Sequence, residues 1–183
     1  KLGSENTTVV TDVGQHQMWT AQYWSFEKGR SYITSGGLGT MGFGLGGAIG
    51  TKLGTPQKNV LLVTGDGSFK MNCNELATVA TQDLPIVILL FNNNALGMVR
   101  QWQNLFSDKR YSETDIYDKT DYIMLANAYG IEGHKAQNLD ELNEILGSLI
   151  LDKPVFVECK IDHDINVFPI VPPNDNLLNL ICN

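Results

Sequence analysis

Val60-Leu61-Leu62-Val63-Thr64-Gly65-Asp66-Gly67-Ser68 and, one helix later, Leu84-Pro85-Ile86-Val87-Ile88-Leu89-Leu90-Phe91-Asn92-Asn93-Asn94 decide the fold. Both runs are continuously apolar rather than alternating, as expected of strands covered on both faces of a parallel sheet. Both break at their carboxyl ends into glycine, aspartate or asparagine, residues that suit tight turns and polar contacts. Between them, Asn72 to Gln82 reads as a helix opened by an Asn72…Glu75 capping box. Together they make a βαβ unit.

The same rhythm extends in both directions. Upstream, Thr7 to Thr11 reads as a strand ending in Asp12-Val13-Gly14, Gln15 to Phe26 as a helix, Tyr32 to Thr34 as a short strand and Met41 to Leu53 as a helix despite its glycines. Downstream, Leu96 to Phe106 has helical spacing, and Asp121 to Tyr129 is a helix closed by Gly130. A second capping box at Asn138…Glu141 opens a helix running to Leu151, and Val155 to Cys159 is the last strand. The alternation predicts an α/β fold: a doubly wound, mostly parallel six-stranded sheet with helices on both faces. The expected domain spans residues 1–168. Residues 169–183, which carry Pro172-Pro173, are expected to form a surface tail.

Composition narrows the function. The chain has 183 residues, 20.2 kDa and 43% hydrophobic residues, enough for one self-sufficient core. A net charge of -7 and a pI near 4.8 leave no basic face for nucleic acid. No apolar run reaches the roughly 18–20 residues of a membrane helix. Three cysteines without CxxC spacing predict a reducing, cytoplasmic setting, and Lys1 to Asn6 lack a signal-peptide core. Cys73, Cys159 and Cys182 read as incidental thiols, and His134 and His163 as surface residues. Glycine is in excess, 18 residues, eight of them between Gly36 and Gly50. Such clustering marks backbone pressed close to a neighbour.

Ligands of doubly wound sheets bind beyond the carboxyl ends of the strands. Four unusual segments fall there: Asp12-Val13-Gly14-Gln15, Ser35-Gly36-Gly37, Gly65-Asp66-Gly67-Ser68 and Asn92-Asn93-Asn94. Gly37-Leu38-Gly39-Thr40-Met41-Gly42 also fits GxGxxG, a dinucleotide fingerprint. The objection is chemical. An acid that meets a ribose hydroxyl needs no flanking glycines, whereas Asp66 lies between Gly65 and Gly67. Glycines let an anion approach the backbone, and a carboxylate beside an anion requires a cation between them. Asp66–Mg2+–phosphate is the economical arrangement, with Asn93 at the next strand end supplying an amide oxygen. Taken singly, each motif is better read as a turn or a polar loop; together, at βαβ spacing, they favour a site.

The spacing of Gly65-Asp66-Gly67 from Asn92-Asn93 resembles the motif of thiamine-diphosphate enzymes. Gly14-Gln15-His16-Gln17-Met18-Trp19, Thr34 to Gly42, Leu96 to Gln103 and Pro169-Ile170-Val171-Pro172-Pro173 are similar to the large subunit of acetohydroxyacid synthase (acetolactate synthase). The resemblance implies an enzyme of branched-chain amino acid biosynthesis. It condenses two pyruvates to 2-acetolactate and CO2, or joins pyruvate to 2-oxobutyrate. It implies Mg2+ held by the side chains of Asp66 and Asn93 and the main-chain carbonyl of Ala95, with Gln15, His16, Gly67 and Ser68 along the diphosphate. The Gly39 carbonyl would meet the aminopyrimidine, Met41 would wedge between the cofactor's rings, and Leu96, Gly97 and Met98 would line it. Met98 and Trp102, four apart on one helical face, would border the substrate pocket.

Bland alternatives stand beside these roles: Met41 as a core-filling methionine, and Met98 with Trp102 as packing residues. Gly46 and Gly47 stand where the family pattern has other residues and weaken a helix by roughly 1 kcal/mol each; with Gly44 they have no reading beyond close packing. None of the eight Glu lies in the family's motif for activating the cofactor. The resemblance therefore implies a C-terminal domain. The activating Glu and an FAD site would belong to other domains of a homodimeric or tetrameric subunit, with a small regulatory subunit as a further partner. By itself the fragment is expected to be inactive. Another thiamine-diphosphate decarboxylase or carboligase, and a non-catalytic interaction module on the same fold, are the other readings.

Overall fold

The computed structural model describes residues 2–117 and 119–182. Six strands, β1 (Thr7–Thr11), β2 (Tyr32–Thr34), β3 (Asn59–Gly65), β4 (Ile86–Asn92), β5 (Glu132–Ala136) and β6 (Val155–Lys160), form one sheet in the order β2-β1-β3-β4-β6-β5. Every pairing is parallel. The winding reverses at β1, with β2 on one side and β3 on the other. The sheet therefore has a switch point where β1, β3 and β4 end together.

Because side chains alternate along a strand, β3 and β4 supply both halves of the core. Val60, Leu62, Ile86, Ile88 and Leu90 pack with helices α2 (Phe43–Gly54), α4 (Leu76–Thr81) and α6 (Tyr122–Ala128). Leu61, Val63, Val87 and Leu89 face α7 (Leu139–Ser148) and Trp24, the residue that ends α1 (Gln15–Tyr23). The expected doubly wound fold is therefore present, and the sheet is wholly parallel. Among the described residues no helix is long and apolar enough to cross a membrane.

Local details depart from the expectations. The Asn72…Glu75 capping box does not form. Residues Cys73–Glu75 make a 3-10 turn, α4 begins at Leu76, and the Asn72 side chain donates to the Gly42 carbonyl instead. At Asn138 the cap is real: its side chain accepts the Glu141 N–H at 2.9 Å. β5, Glu-Gly-His-Lys-Ala, has no apolar run and goes unmarked in the sequence; its pairing with β6 makes it a strand. Asp66-Gly67-Ser68 is not an open turn but the start of a short helix, α3 (Asp66–Lys70). Beyond β6, Ile170 is buried and forms an antiparallel bridge with Ile181.

Candidate functional site

The loops after β1, β3 and β4 surround a cavity at the switch point. Gln15, His16, Met41, Asp66, Gly67, Ser68, Asn93, Ala95, Leu96, Gly97 and Met98 all line it. Two candidates do not. Gly39 lies on an exposed turn with φ +61°. Trp102, on α5 (Gly97–Phe106), is 47% exposed and packs edge-on against Phe106 at 6.0 Å. Residues the sequence did not single out complete the wall, among them Trp19, which meets Phe91 edge-on at 6.3 Å.

Three buried polar atoms here have no protein partner among the described residues: Gln15 Oε1, His16 Nε2 and Asp66 Oδ2. Buried polar groups are paired in the great majority of cases, so three orphans lining one cavity signify a ligand that completes them. Burial pushes the Asp66 carboxyl up to about 6, against the pull of backbone N–H groups including that of Gly67. Burial drives the His16 imidazole down to about 3, so the ring is neutral at physiological pH. The glycines let neighbouring side chains close in against the backbone. A Cβ on Gly97 would overlap Gln15 Oε1 and come within 2.8 Å of Asn93 Nδ2, and one on Gly67 would lie 2.8 Å from Leu96 Cδ2.

The polarity of Gln15 is set from behind. The Val167 N–H donates to Gln101 Oε1 at 2.8 Å, and Gln101 Nε2 donates to the Val167 carbonyl at 2.9 Å. That fixes Gln101 Oε1 as an acceptor for Gln15 Nε2 at 2.9 Å, while the Ile165 carbonyl takes the other Gln15 proton at 2.7 Å. Gln15 therefore offers the cavity a carbonyl oxygen, suited to a donor or a cation rather than to a bare phosphate oxygen. In the sequence Gln101 stands out only within the Leu96 to Gln103 run that carries the family resemblance; its place behind Gln15 is seen only in the fold.

A second hidden residue is Asp12. Its carboxylate accepts N–H bonds from Gly42 at 2.9 Å and Gly44 at 3.1 Å, joining the end of β1 to the start of α2 next to Met41. Close packing accounts for two of the glycines in α2, Gly44 against Asp12 and Gly47 against Phe43. A Cβ on Gly44 would lie 2.8 Å from Asp12 Oδ2, and one on Gly47 would lie 3.0 Å from the Phe43 ring. Gly46 has only ordinary space around it. Ser68 adds a 2.6 Å bond to the Val13 carbonyl, holding the β1 and β3 loops together. His163, as expected, sits in a surface polar cluster, 2.8 Å from Asp115 and 3.2 Å from Asp164. Among the described residues no group of three or more His, Cys, Asp or Glu is arranged to hold a metal.

Fold and site together define an α/β domain that holds a polar ligand at the switch point of a parallel sheet, between one carboxylate and glycine-lined backbone. The chain belongs to the thiamine pyrophosphate enzyme family: residues 12–159 match its C-terminal TPP binding domain. It is 48% identical over 166 residues to the acetolactate synthase isozyme 2 large subunit of Escherichia coli (strain K12), covering 90% of this chain and 30% of that protein. It is 45% identical over 179 residues to the probable acetolactate synthase large subunit of Methanococcus aeolicus, covering 97% of this chain and 30% of that protein. Against the acetolactate synthase large subunit of Lactococcus lactis it is 45% identical over 164 residues, 90% of this chain and 28% of that protein. The chain thus spans under a third of the length of these relatives.

Proposed function

We propose that this chain is the cofactor-binding part of an acetolactate synthase catalytic subunit, acting on pyruvate alone or on pyruvate with 2-oxobutyrate. The observation that carries the site is the set of orphaned atoms on Gln15, His16 and Asp66, lining one cavity with Asn93. The names of the relatives favour this reaction over other thiamine-diphosphate chemistry.

The donor set fits Mg2+. The side chains of Asp66 and Asn93 and the main-chain carbonyl of Ala95 are hard oxygens with a single negative charge among them, leaving positions for phosphate and water. A dication beside Asp66 also removes the cost of keeping that carboxylate charged in a buried place. Neutral His16 adds no positive charge against the metal. Gly67 and Gly97 let the lining side chains of Leu96, Gln15 and Asn93 approach the backbone at the site. Met41 enters the cavity beside Gly67, its Cε 3.6 Å from where a Gly67 Cβ would stand, and would contact the cofactor there. When bound, thiamine diphosphate supplies the electron sink for decarboxylating a 2-keto acid. Met98 would face the substrate, while Trp102 would border the second keto acid from the outer face of α5. FAD, the activating Glu, subunit pairing and the cytoplasmic setting belong to the same proposal, and other parts of the subunit supply the first two.

The test is calorimetric titration of the complete subunit with thiamine diphosphate in the presence of Mg2+, followed by product analysis with pyruvate. Tight Mg2+-dependent binding that Asp66→Asn abolishes, with 2-acetolactate as product, is the expected result. Unchanged affinity in Asp66→Asn overturns the metal assignment. Intact binding with a different product retains the site and favours another decarboxylase or carboligase.

A further inference from the structure

Glu158 sits inside β6 with only 4% of its side chain exposed, and it does not line the cavity. A buried carboxylate is costly unless its oxygens are paired, and here both are. Oε1 accepts from Asn92 Nδ2 at 2.7 Å, and Oε2 lies 3.2 Å from Lys135 Nζ. The sheet register produces this. Glu158 stands opposite Leu90 of β4 and Lys135 of β5, and reaches Asn92 as the diagonal neighbour two residues along β4.

Asn92 passes the constraint on. Its Oδ1 accepts the Asn94 N–H at 3.2 Å, and its main-chain carbonyl accepts the Ile161 N–H at 3.1 Å. Asn94 is left-handed, with φ +54°, a conformation asparagine tolerates better than most residues, and the bond from its N–H to Asn92 helps to hold it. The turn that follows has a definite consequence: Asn93 and Ala95 line the cavity, whereas Asn92 and Asn94 do not. The carbonyl of Asn94 accepts the Ile116 N–H, and the Leu96 N–H donates to Thr114, both at 2.8 Å, so the far side of the turn is also anchored.

We propose that Glu158 is a positioning residue for one limb of the metal site, holding through Asn92 the turn that presents the Asn93 side chain and the Ala95 carbonyl. The proposal rests on the Mg2+–thiamine diphosphate reading of the cavity. Lys135 is half-exposed on the edge strand and neutralises the carboxylate, while the buried bond to Asn92 carries the positional information.

The test uses the complete subunit, with Trp19 fluorescence as the readout at saturating thiamine diphosphate while Mg2+ is titrated. Glu158→Leu and Asn92→Ala should each raise the Mg2+ concentration at half-saturation about tenfold or more, the usual effect of removing a group that orients a metal ligand. The double variant should be no worse than either single one. Glu158→Gln, which keeps an acceptor for Asn92, should restore affinity to within about threefold, and the partly exposed Lys135→Met should cost no more than that. Unfolding midpoints without ligand are recorded in parallel. Lowered midpoints with an unshifted Mg2+ dependence, or additive shifts in the double variant, overturn the proposal. If Glu158→Leu does not fold, Asn92→Ala decides alone. A wild type without Mg2+-dependent signal overturns the cofactor reading and this proposal with it; a wild-type signal with unshifted variants overturns this proposal alone.

Discussion

Helix α2 carries glycines whose replacement by alanine should act in opposite directions. At Gly44 the new Cβ would stand 2.8 Å from Asp12 Oδ2, 2.9 Å from Asp12 Cβ and 2.9 Å from Leu62 Cδ1. Asp12 and Leu62 are both buried and unable to retreat into solvent. Overpacking of this kind costs about 1–3 kcal/mol. Asp12 must also give up part of its bonding to the Gly42 and Gly44 N–H groups, and a hydrogen bond to a charged group is worth about 1.5–3 kcal/mol. The better helix propensity of alanine returns about 1 kcal/mol. The net loss is about 2–4 kcal/mol, which at about 2–4 °C per kcal/mol for a chain of this size lowers the melting temperature by about 5–15 °C. Gly50 is the control in the same helix: it is exposed and a Cβ there meets nothing within 4 Å. Gly50→Ala should keep the propensity gain alone and raise the melting temperature by about 2–4 °C. Gly46→Ala, with its nearest contact at 3.9 Å, should act in the same sense. Scanning calorimetry of the variants beside the wild type measures all three. Shifts of the same sign at Gly44 and Gly50 would refute the view that Asp12 holds Gly44 in place.

Cys159 and Lys52 test the core independently. Burial pushes the Cys159 thiol up to about 12, with the neighbouring Glu158 charge adding to the effect, so at pH 8 its thiolate fraction is about one in ten thousand. A thiol reagent should therefore label exposed Cys182 promptly and Cys159 only in denaturant; fast native-state labelling of Cys159 would show the last strand to be less enclosed than described. Lys52 is a buried lysine whose Nζ donates to the carbonyls of Pro56 at 2.9 Å and Lys58 at 2.8 Å, closing the turn between α2 and β3. Lys52→Met leaves the Pro56 and Lys58 carbonyls without this donor and should lower the urea-unfolding free energy by about 1–3 kcal/mol; an unchanged midpoint would mean that water replaces the ammonium without loss.

The legible parts of this molecule are those whose chemistry is local. Continuous apolar runs mark β3 and β4 because both faces of these strands are covered, and the glycines and asparagines at their ends mark the rim because they break the runs. The illegible parts depend on partners distant in sequence. β5 contains Glu132, Gly133, His134, Lys135 and Ala136, and only its register with β6 makes it a strand. The capping box at Asn72 fails because its side chain has a competing acceptor, the carbonyl of Gly42, thirty residues away. Gly44 looks like a weak point in a helix until Asp12 is placed beside it. Trp102 shows the limit of periodicity: it shares a helical face with Met98 but lies a turn further from the rim, and it is half-exposed.

What the sequence hides has a common form. Three segments at the rim are held from behind by buried polar side chains that do not themselves line the cavity. Asp12 binds the N–H groups of Gly42 and Gly44, Gln101 orients Gln15, and Glu158 orients Asn92. The atoms that do face the cavity on Gln15, His16 and Asp66 are left without partners. At Gln15 the two facts are linked. A side chain can be kept unpaired and correctly aimed only if its remaining bonds are fixed elsewhere, because a free amide or carboxylate would rotate to satisfy itself. Stability is thus invested in the supporting layer so that the cavity-facing layer stays unsatisfied until a ligand arrives. This is why the supporting residues fall within or beside strands and helices, where propensity and pattern describe packing and give no sign of the loop being held.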